Sequence, residues 1–197
     1  MTVTTYVTLA VLVLLLGAQL WLRPLLVLRA RQIFTGSIAL LLASLLVQLR
    51  MYFVALQNGG DISRYLVPPY QSLSYFFVSG WALFLFPYIT SICTALLFIL
   101  ILKRVPKHRL DLIFEADEPW LIATTLLLSG HPGWLLTLTG GLLLIFFGSF
   151  YQSVIKKTDR RFSAYRFWLP IAIAVVLLSP WLTKLLPWLQ KIVLRLS

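Results

Sequence analysis

The sequence predicts an all-α protein, a polytopic bundle of transmembrane helices. Of its 197 residues 60% are hydrophobic and only 12% are charged, with a mean hydropathy of +0.90, whereas soluble domains carry about 25% charged residues. Several apolar segments approach the roughly 20 residues that a helix needs to cross a bilayer. Backbone polar groups must pair internally in lipid, and the alternation typical of a membrane barrel is missing from the sequence, so helices are expected.

The first two spans are predicted at residues 5–22 and 33–49, separated by a basic connection that contains Arg29 and Arg31. Arg50 follows the second span. An arginine in mid-membrane costs about 2.5 to 3.5 kcal/mol on insertion scales, so its side chain is expected to reach an interface or to face protein. The N-terminus lacks the basic start and the cleavage site of a signal peptide, so the first span is expected to be retained.

A stretch of 34 residues without charge, 69–102, follows. As one continuous helix it would measure about 51 Å, too long for an ordinary span. Pro87 lies near its middle, and proline removes a helical hydrogen bond and clashes with the preceding turn. The sequence therefore predicts two short spans, 70–86 and 88–102, and about seven helices in all. If Pro87 only kinks one long helix, the number is six.

The remaining helices follow the polar segment 103–118, which contains four of the six acidic residues. They are predicted at residues 119–129, at 134–155 after a tight Gly-His-Pro-Gly reversal, and from about 167 to 188. The last one ends in tryptophan and lysine, as is typical of a membrane interface. We expect one integral membrane domain over residues 1–197.

The net charge of +11 comes from small basic groups between apolar stretches, a pattern that indicates membrane topology and lipid contact rather than nucleic-acid binding. The positive-inside rule predicts that 103–109 and 156–166 are cytoplasmic, in a cell membrane of the bacterial inner or plasma membrane type. Seven helices would put the arginines of 23–31 outside. Six would put them inside, but would move Asp61 to the opposite face from Asp117.

Asp61 and Asp117 are the candidate catalytic residues. They are 56 residues apart, each borders an apolar helix, and seven helices would return them to one membrane face. Two close carboxylates share a proton, so that the ionised one activates water while the protonated one polarises a scissile carbonyl. The alternative roles are a turn residue after Gly59-Gly60 for Asp61 and a helix cap before Pro119 for Asp117.

Three segments of the sequence resemble type IV prepilin peptidases. DISRYLVPPYQSL, 61–73, resembles the family's aspartate followed seven residues later by the proline of a turn. FEADEPWLIATTLLLSG, 114–130, resembles the Gly-x-Gly-Asp motif and its short helix, and RRFSAYRFWLPIAIAVVLL, 160–178, the basic turn and final helix. The resemblance implies a peptidase-like core at 59–190 behind N-terminal helices at 1–58.

The resemblance also implies an activity: Asp61 and Asp117 would cut the basic leader from pilin-like precursors at the cytoplasmic membrane boundary, without a cofactor or metal. Phe114 and Ala116 stand at the two glycine positions of the motif, and glycine allows a close backbone approach that they do not. The usual lysine after the second aspartate and the cysteine-rich insert of the longer relatives are also missing from the sequence. The chain is thus expected to be a short form or a degenerate relative.

The alternative function is a non-catalytic transmembrane subunit of a respiratory, photosynthetic or secretion complex. Small-residue patches at Gly140-Gly141 and Gly148-Ser149 would let a neighbouring helix approach closely. A transporter is a third hypothesis, with too little intramembrane charge to outline an ion path.

Other side chains have structural interpretations. Cys93 is expected to be a small buried hydrophobe, and Glu115 and Glu118 to form a solvated acidic face. His108 and His131 are candidate metal or tetrapyrrole ligands, but neither is expected in an apolar groove. The abundant aromatic residues are expected to pack and to line the interfaces, with a pigment or quinone groove as the alternative.

Overall fold

The computed structural model describes residues 3–58, 80–106, 118–155 and 165–185, and the single residues 72, 78, 108 and 114. Over these residues it confirms the predicted all-α class, with six α-helices and no strand. The helices are α1 (Val3–Trp21), α2 (Arg23–Asn58), α3 (Phe86–Arg104), α4 (Glu118–Ser129), α5 (Gly133–Phe150) and α6 (Trp168–Leu185). A π-helical turn precedes α3 at Trp81–Leu85, and another follows α5 at Tyr151–Ile155.

Within the described residues, four helical segments are long and apolar enough to cross a membrane: Val3–Trp21, Leu28–Asn58, Phe86–Arg104 and Gly133–Val154. Helix α4 has only 12 residues, which is about 18 Å of helix and shorter than the hydrocarbon core. The bounds predicted for α1, α4 and the start of α6 agree with the structure to within two residues.

The predicted break at Pro87 is wrong, and with it the count of seven helices. The described backbone is helical without interruption from Gly80 to Arg104, and Pro87 lies in the first turn of α3. The π-helical turn Trp81–Leu85 lies directly before it, and its last hydrogen bond runs from Phe86 N–H to Trp81 O, so the helix changes its hydrogen-bond pattern at the proline and does not end there. Residues 80–104 therefore form one helical run that passes through Pro87, as the six-helix alternative expects for these residues.

The predicted basic connection between the first two spans is also wrong. Helix α2 begins at Arg23, one residue after the end of α1, and its 36 residues run through Arg50 to Asn58. The Leu22 amide donates to Ala18 O at 2.7 Å and the Leu26 amide to Leu22 O at 3.1 Å, so Leu22 closes α1 and also accepts the first hydrogen bond of α2. Arginine, leucine and alanine favour helix strongly enough for it to extend beyond the apolar run.

The bundle has two distinct ends. At the end that we call the basic end, α1 finishes and α6 begins: the Gln19 amide donates to Tyr165 O at 2.6 Å. Arg23 lies 4.9 Å from the centre of the Tyr165 ring, and α3 finishes in Lys103 and Arg104. At the opposite end, the turn end, the His131 amide between α4 and α5 donates to Pro87 O at 3.0 Å.

Helix α4 occupies the middle of the bundle. Every residue from Leu121 to Leu128 is buried. Side chains of α4 belong to both hydrophobic clusters, one with α2, α3 and α6 and the other with α1, α2 and α6. A helix that is apolar on all sides and too short to span is stable when protein surrounds it. The two ends of α4 are therefore where its polar groups meet the rest of the structure.

Candidate functional site

The two predicted catalytic residues, Asp61 and Asp117, lie outside the described residues, so their pairing stays a prediction. Their nearest described neighbours are Asn58, the last residue of α2, and Glu118, the first residue of α4. Helix α2 approaches the turn end, since Tyr52 packs against Phe84 with ring centroids 5.2 Å apart. Glu118 lies at the basic end.

The carboxylate of Glu118 is buried, with 1% of the residue exposed. The expectation that Glu118 forms part of a solvated acidic face is therefore wrong. Its Oε1 accepts a hydrogen bond of 3.0 Å from the indole Nε1 of Trp168, on α6. A buried carboxylate requires such donors, because burying an unpaired polar group costs several kcal/mol. Glu118 thus ties the start of α4 to the start of α6.

Helix α5 has a glycine where the Trp168 indole packs. A Cβ added at Gly141 would overlap atoms Cζ3 and Cη2 of that ring, and one added at Gly140 would lie 3.4 Å from Ile171. The Gly140-Gly141 patch therefore does allow a helix to approach closely, and that helix is α6 of the same chain. Glu118, Gly141 and Trp168 form one unit, which we call the tryptophan contact.

The other end of α4 borders a polar cleft of about 190 Å³ at the turn end. Its walls come from α1, α3, α4, α6 and the α4–α5 turn. The residues that line it are Thr5, Thr8, Pro87, Tyr88, Leu128, Ser129, Gly130, His131, Val176 and Ser179. Convergent polar groups among apolar helices are typical of small-molecule sites, but those sites usually measure about 300 to 1,000 Å³, so this cleft has room for a small head group only.

The turn that supplies His131 depends on Gly130, whose φ of +64° is in the left-handed region that glycine adopts without steric cost. A Cβ at this position would also lie 3.3 Å from the Tyr88 ring. The turn is held to both helices, since Ser129 Oγ donates to Thr125 O at 2.6 Å and lies 2.8 Å from Thr137 Oγ1. His131 is therefore presented by a fixed backbone.

The imidazole of His131 has one nitrogen paired and one unpaired. The Trp134 indole donates to its Nδ1 at 3.1 Å, so a neutral ring carries its proton on Nε2. Nε2 is buried and has no hydrogen-bond partner among the described residues. Burial lowers the pKa of the His131 imidazole below its ordinary value because desolvation disfavours the charged form. The ring thus offers an unsatisfied N–H donor.

Two further predictions concern single residues. Cys93 lies on α3 and is exposed, so the expectation of a buried hydrophobe is wrong. A thiol is small and weakly polar, and lipid solvates it as readily as a protein core does. The part of the chain that the structure describes contains no cluster of three or more histidine, cysteine, aspartate or glutamate side chains that could hold a metal ion.

No family model matches the chain, and no curated protein or solved structure shows significant similarity to it. The resemblance to prepilin peptidases therefore depends on the motifs themselves. Sequence reasoning identified the reversal around His131 but missed the hydroxyl groups that surround it. The signal was available in the threonines of α1 and the serines of α4 and α6, since each lies close to one end of an apolar helix.

Proposed function

We propose that this chain is a multi-pass protein of a bacterial plasma membrane, with the basic end in the cytoplasm. Six of the eight basic residues described lie at that end: Arg23, Arg29, Arg31, Lys103, Arg104 and Arg166. Lysine and arginine are retained on the cytoplasmic side during insertion. With six helices the N-terminal arginines agree with this rule, which seven helices would have violated.

Within that membrane, we propose that the chain is a non-catalytic transmembrane subunit of a larger complex and that α5 contacts its neighbour. The supporting observation is an open groove of about 510 Å³ along the outer face of α5 and the following turn. Small polar residues, Ser149 and Ser153, line it between exposed apolar side chains such as Phe146 and Phe150. Small residues let helices approach closely, and serine hydrogen-bonds across helices in membranes.

Filling the groove tests this proposal. The variants Ser149→Phe and Ser153→Phe should separate the chain from its complex, and Leu97→Phe, on the exposed face of α3, is the matched control. The measurement is migration in native gels after mild detergent extraction, with the stoichiometry of co-purified subunits. A chain that migrates alone before any substitution would refute the proposal, as would a complex that both serine variants leave intact.

The second candidate is the prepilin peptidase-like endopeptidase, and one specific observation favours it. The motif that contains Asp117 resembles the family motif followed by a short helix, and α4 is a 12-residue helix that begins at Glu118. An acid directly before such a helix would benefit from its positive N-terminal dipole. This candidate is second because Asn58 and Glu118, the described neighbours of the two aspartates, lie at opposite ends of the bundle.

Leader cleavage in membranes tests the peptidase candidate. Both Asp61→Asn and Asp117→Asn should abolish cleavage of a pilin-like precursor with a basic leader, because neither carboxylate acts alone. Asp159→Asn, outside both motifs, is the control for expression and insertion. Cleavage that persists in either motif variant would exclude the aspartyl mechanism.

A further inference from the structure

The cleft at the turn end has an unusual balance of hydrogen-bonding groups. Two of its hydroxyls already donate to backbone oxygens: Thr8 Oγ1 to Thr5 O at 3.0 Å, and Ser129 Oγ to Thr125 O at 2.6 Å. The Nε2 of His131 has no such partner among the described residues. A buried donor without an acceptor costs about 1 to 3 kcal/mol, so the cleft favours an occupant that brings an acceptor.

The lining also limits the charge of that occupant. The cleft's described lining contains no lysine, arginine, aspartate or glutamate, and Nδ1 of His131 accepts from Trp134, so the imidazole is held neutral. An anionic group would therefore be buried without a counter-charge, at considerable cost. Pro87, Leu128 and Val176 add apolar surface. A neutral ligand with an oxygen acceptor and an apolar body fits these walls.

The position of the cleft favours a ligand that enters from the membrane. Three neighbouring helical segments continue past it at the turn end. Thr4 donates to Gln48 Oε1, yet α2 continues to Asn58; α6 continues from Ser179 to Leu185; and the helical run before Pro87 starts at Gly80. The cleft volume of about 190 Å³ is several times the roughly 30 Å³ share of one water molecule.

We infer that this cleft binds a neutral, lipid-soluble molecule through a carbonyl oxygen that accepts a hydrogen bond from His131 Nε2. Two sources share this chemistry: the head group of a membrane quinone and the ester group of an acylglycerol. The site is independent of both proposed functions, since neither the α5 groove nor the two aspartates contribute to it.

The chain has only two histidines, His108 and His131, so nitrogen NMR of histidine-labelled protein in nanodiscs reports on the site directly. The full chain carrying His108→Gln should give the two nitrogen resonances of a single neutral imidazole, a protonated Nε2 and an unprotonated Nδ1. Addition of a short-chain benzoquinone, or in a separate arm of dioctanoylglycerol, should shift the Nε2–H resonance with saturation. The arm that saturates at the lower concentration identifies the source.

Two variants separate binding from folding. His131→Phe keeps an aromatic ring and should weaken binding of the same probe by about tenfold, the equivalent of one neutral hydrogen bond, as measured by isothermal titration calorimetry, which needs no histidine signal. Ser179→Leu narrows the cleft and should abolish the Nε2 shift while the signal itself persists, which shows that the protein remains folded. A ring protonated at Nδ1 would overturn the proposal, and so would a failure of both probes to shift the resonance.

Discussion

The two ends of helix α4 differ in how their polar side chains are hydrogen-bonded. At the basic end the Glu118 carboxylate is buried and accepts a hydrogen bond from Trp168, whose ring packs over Gly141. At the turn end His131 has one nitrogen paired with Trp134 and the other without a partner among the described residues. The basic end thus joins two helices of the same chain, whereas the turn end has an N–H donor that no described residue accepts from. We therefore assign a structural contact to the basic end of α4 and a candidate binding site to its turn end.

Burial alone does not make this distinction. Glu118 is more completely buried than His131, and a buried glutamate in a membrane protein is by default a functional-site hypothesis. The hydrogen bond from Trp168 instead gives it a structural role. A buried titratable group therefore indicates a binding site only when the protein leaves it without a hydrogen-bond partner.

The tryptophan contact can be broken most severely at Gly141. Gly141→Ala places a Cβ inside the Trp168 ring, and because the ring is buried, α5 and α6 must move apart. Overpacking typically costs about 1 to 3 kcal/mol and occasionally more. The loss of stability should therefore exceed that of Trp168→Phe and that of protonating His131, which are described below. Unfolding by a denaturing detergent, followed by circular dichroism, measures it.

Gly17→Ala is the matched control for that experiment, since a Cβ there would meet no atom within 4 Å. It should leave stability unchanged or raise it by up to about 1 kcal/mol through helix propensity. Equal losses in the two variants would show that the contact between Gly141 and Trp168 is not a structural determinant.

A second change removes the hydrogen bond together with part of the ring packing. Trp168→Phe keeps an aromatic ring but removes the donor to Glu118 Oε1, which should cost about 1 to 3 kcal/mol. Trp181→Phe, on the same helix with 71% of the residue exposed, should cost much less. The same detergent unfolding curves compare the two. If both variants behave alike, the hydrogen bond to Glu118 contributes nothing to the difference between the ends of α4.

The sequence predicted the apolar helices well because their length and hydropathy are local properties. It failed at Pro87 and at the arginines between the first two spans, where the outcome depends on whether a helix starts or continues. A helix can continue through a proline that follows a π-helical turn, and arginine within a helix is compatible with regular hydrogen bonding. A rule based on apolar length cannot recognise either case.

The site was harder to predict for a different reason. Glu118 and Trp168 are 50 residues apart, and in the sequence Glu118 belongs to a polar segment with other acids, so a solvated role was the simplest interpretation. The hydroxyls around His131 come from four helices that only the fold brings together. The turn that contains His131 could be predicted because glycine and proline flank it. Which of its two nitrogens is paired could not, because that depends on the hydrogen bond from Trp134.

The smallest expected effect concerns pH at the turn end. Because burial lowers the pKa of His131, the unfolded chain binds a proton more readily than the folded one, and stability falls as pH decreases below the ordinary histidine pKa of about 6.5. The loss levels off once pH is below the lowered pKa, where both the folded and the unfolded chain are protonated.

Unfolding curves measured from about pH 8 to about pH 4, a range that includes the ordinary histidine pKa, should show this decline in stability. His131→Gln should remove it. The His108→Gln control should retain it, because His108 is exposed. A decline of the same size in the His131 variant would assign the pH dependence to other groups, and the two ends of α4 would then not differ in proton binding.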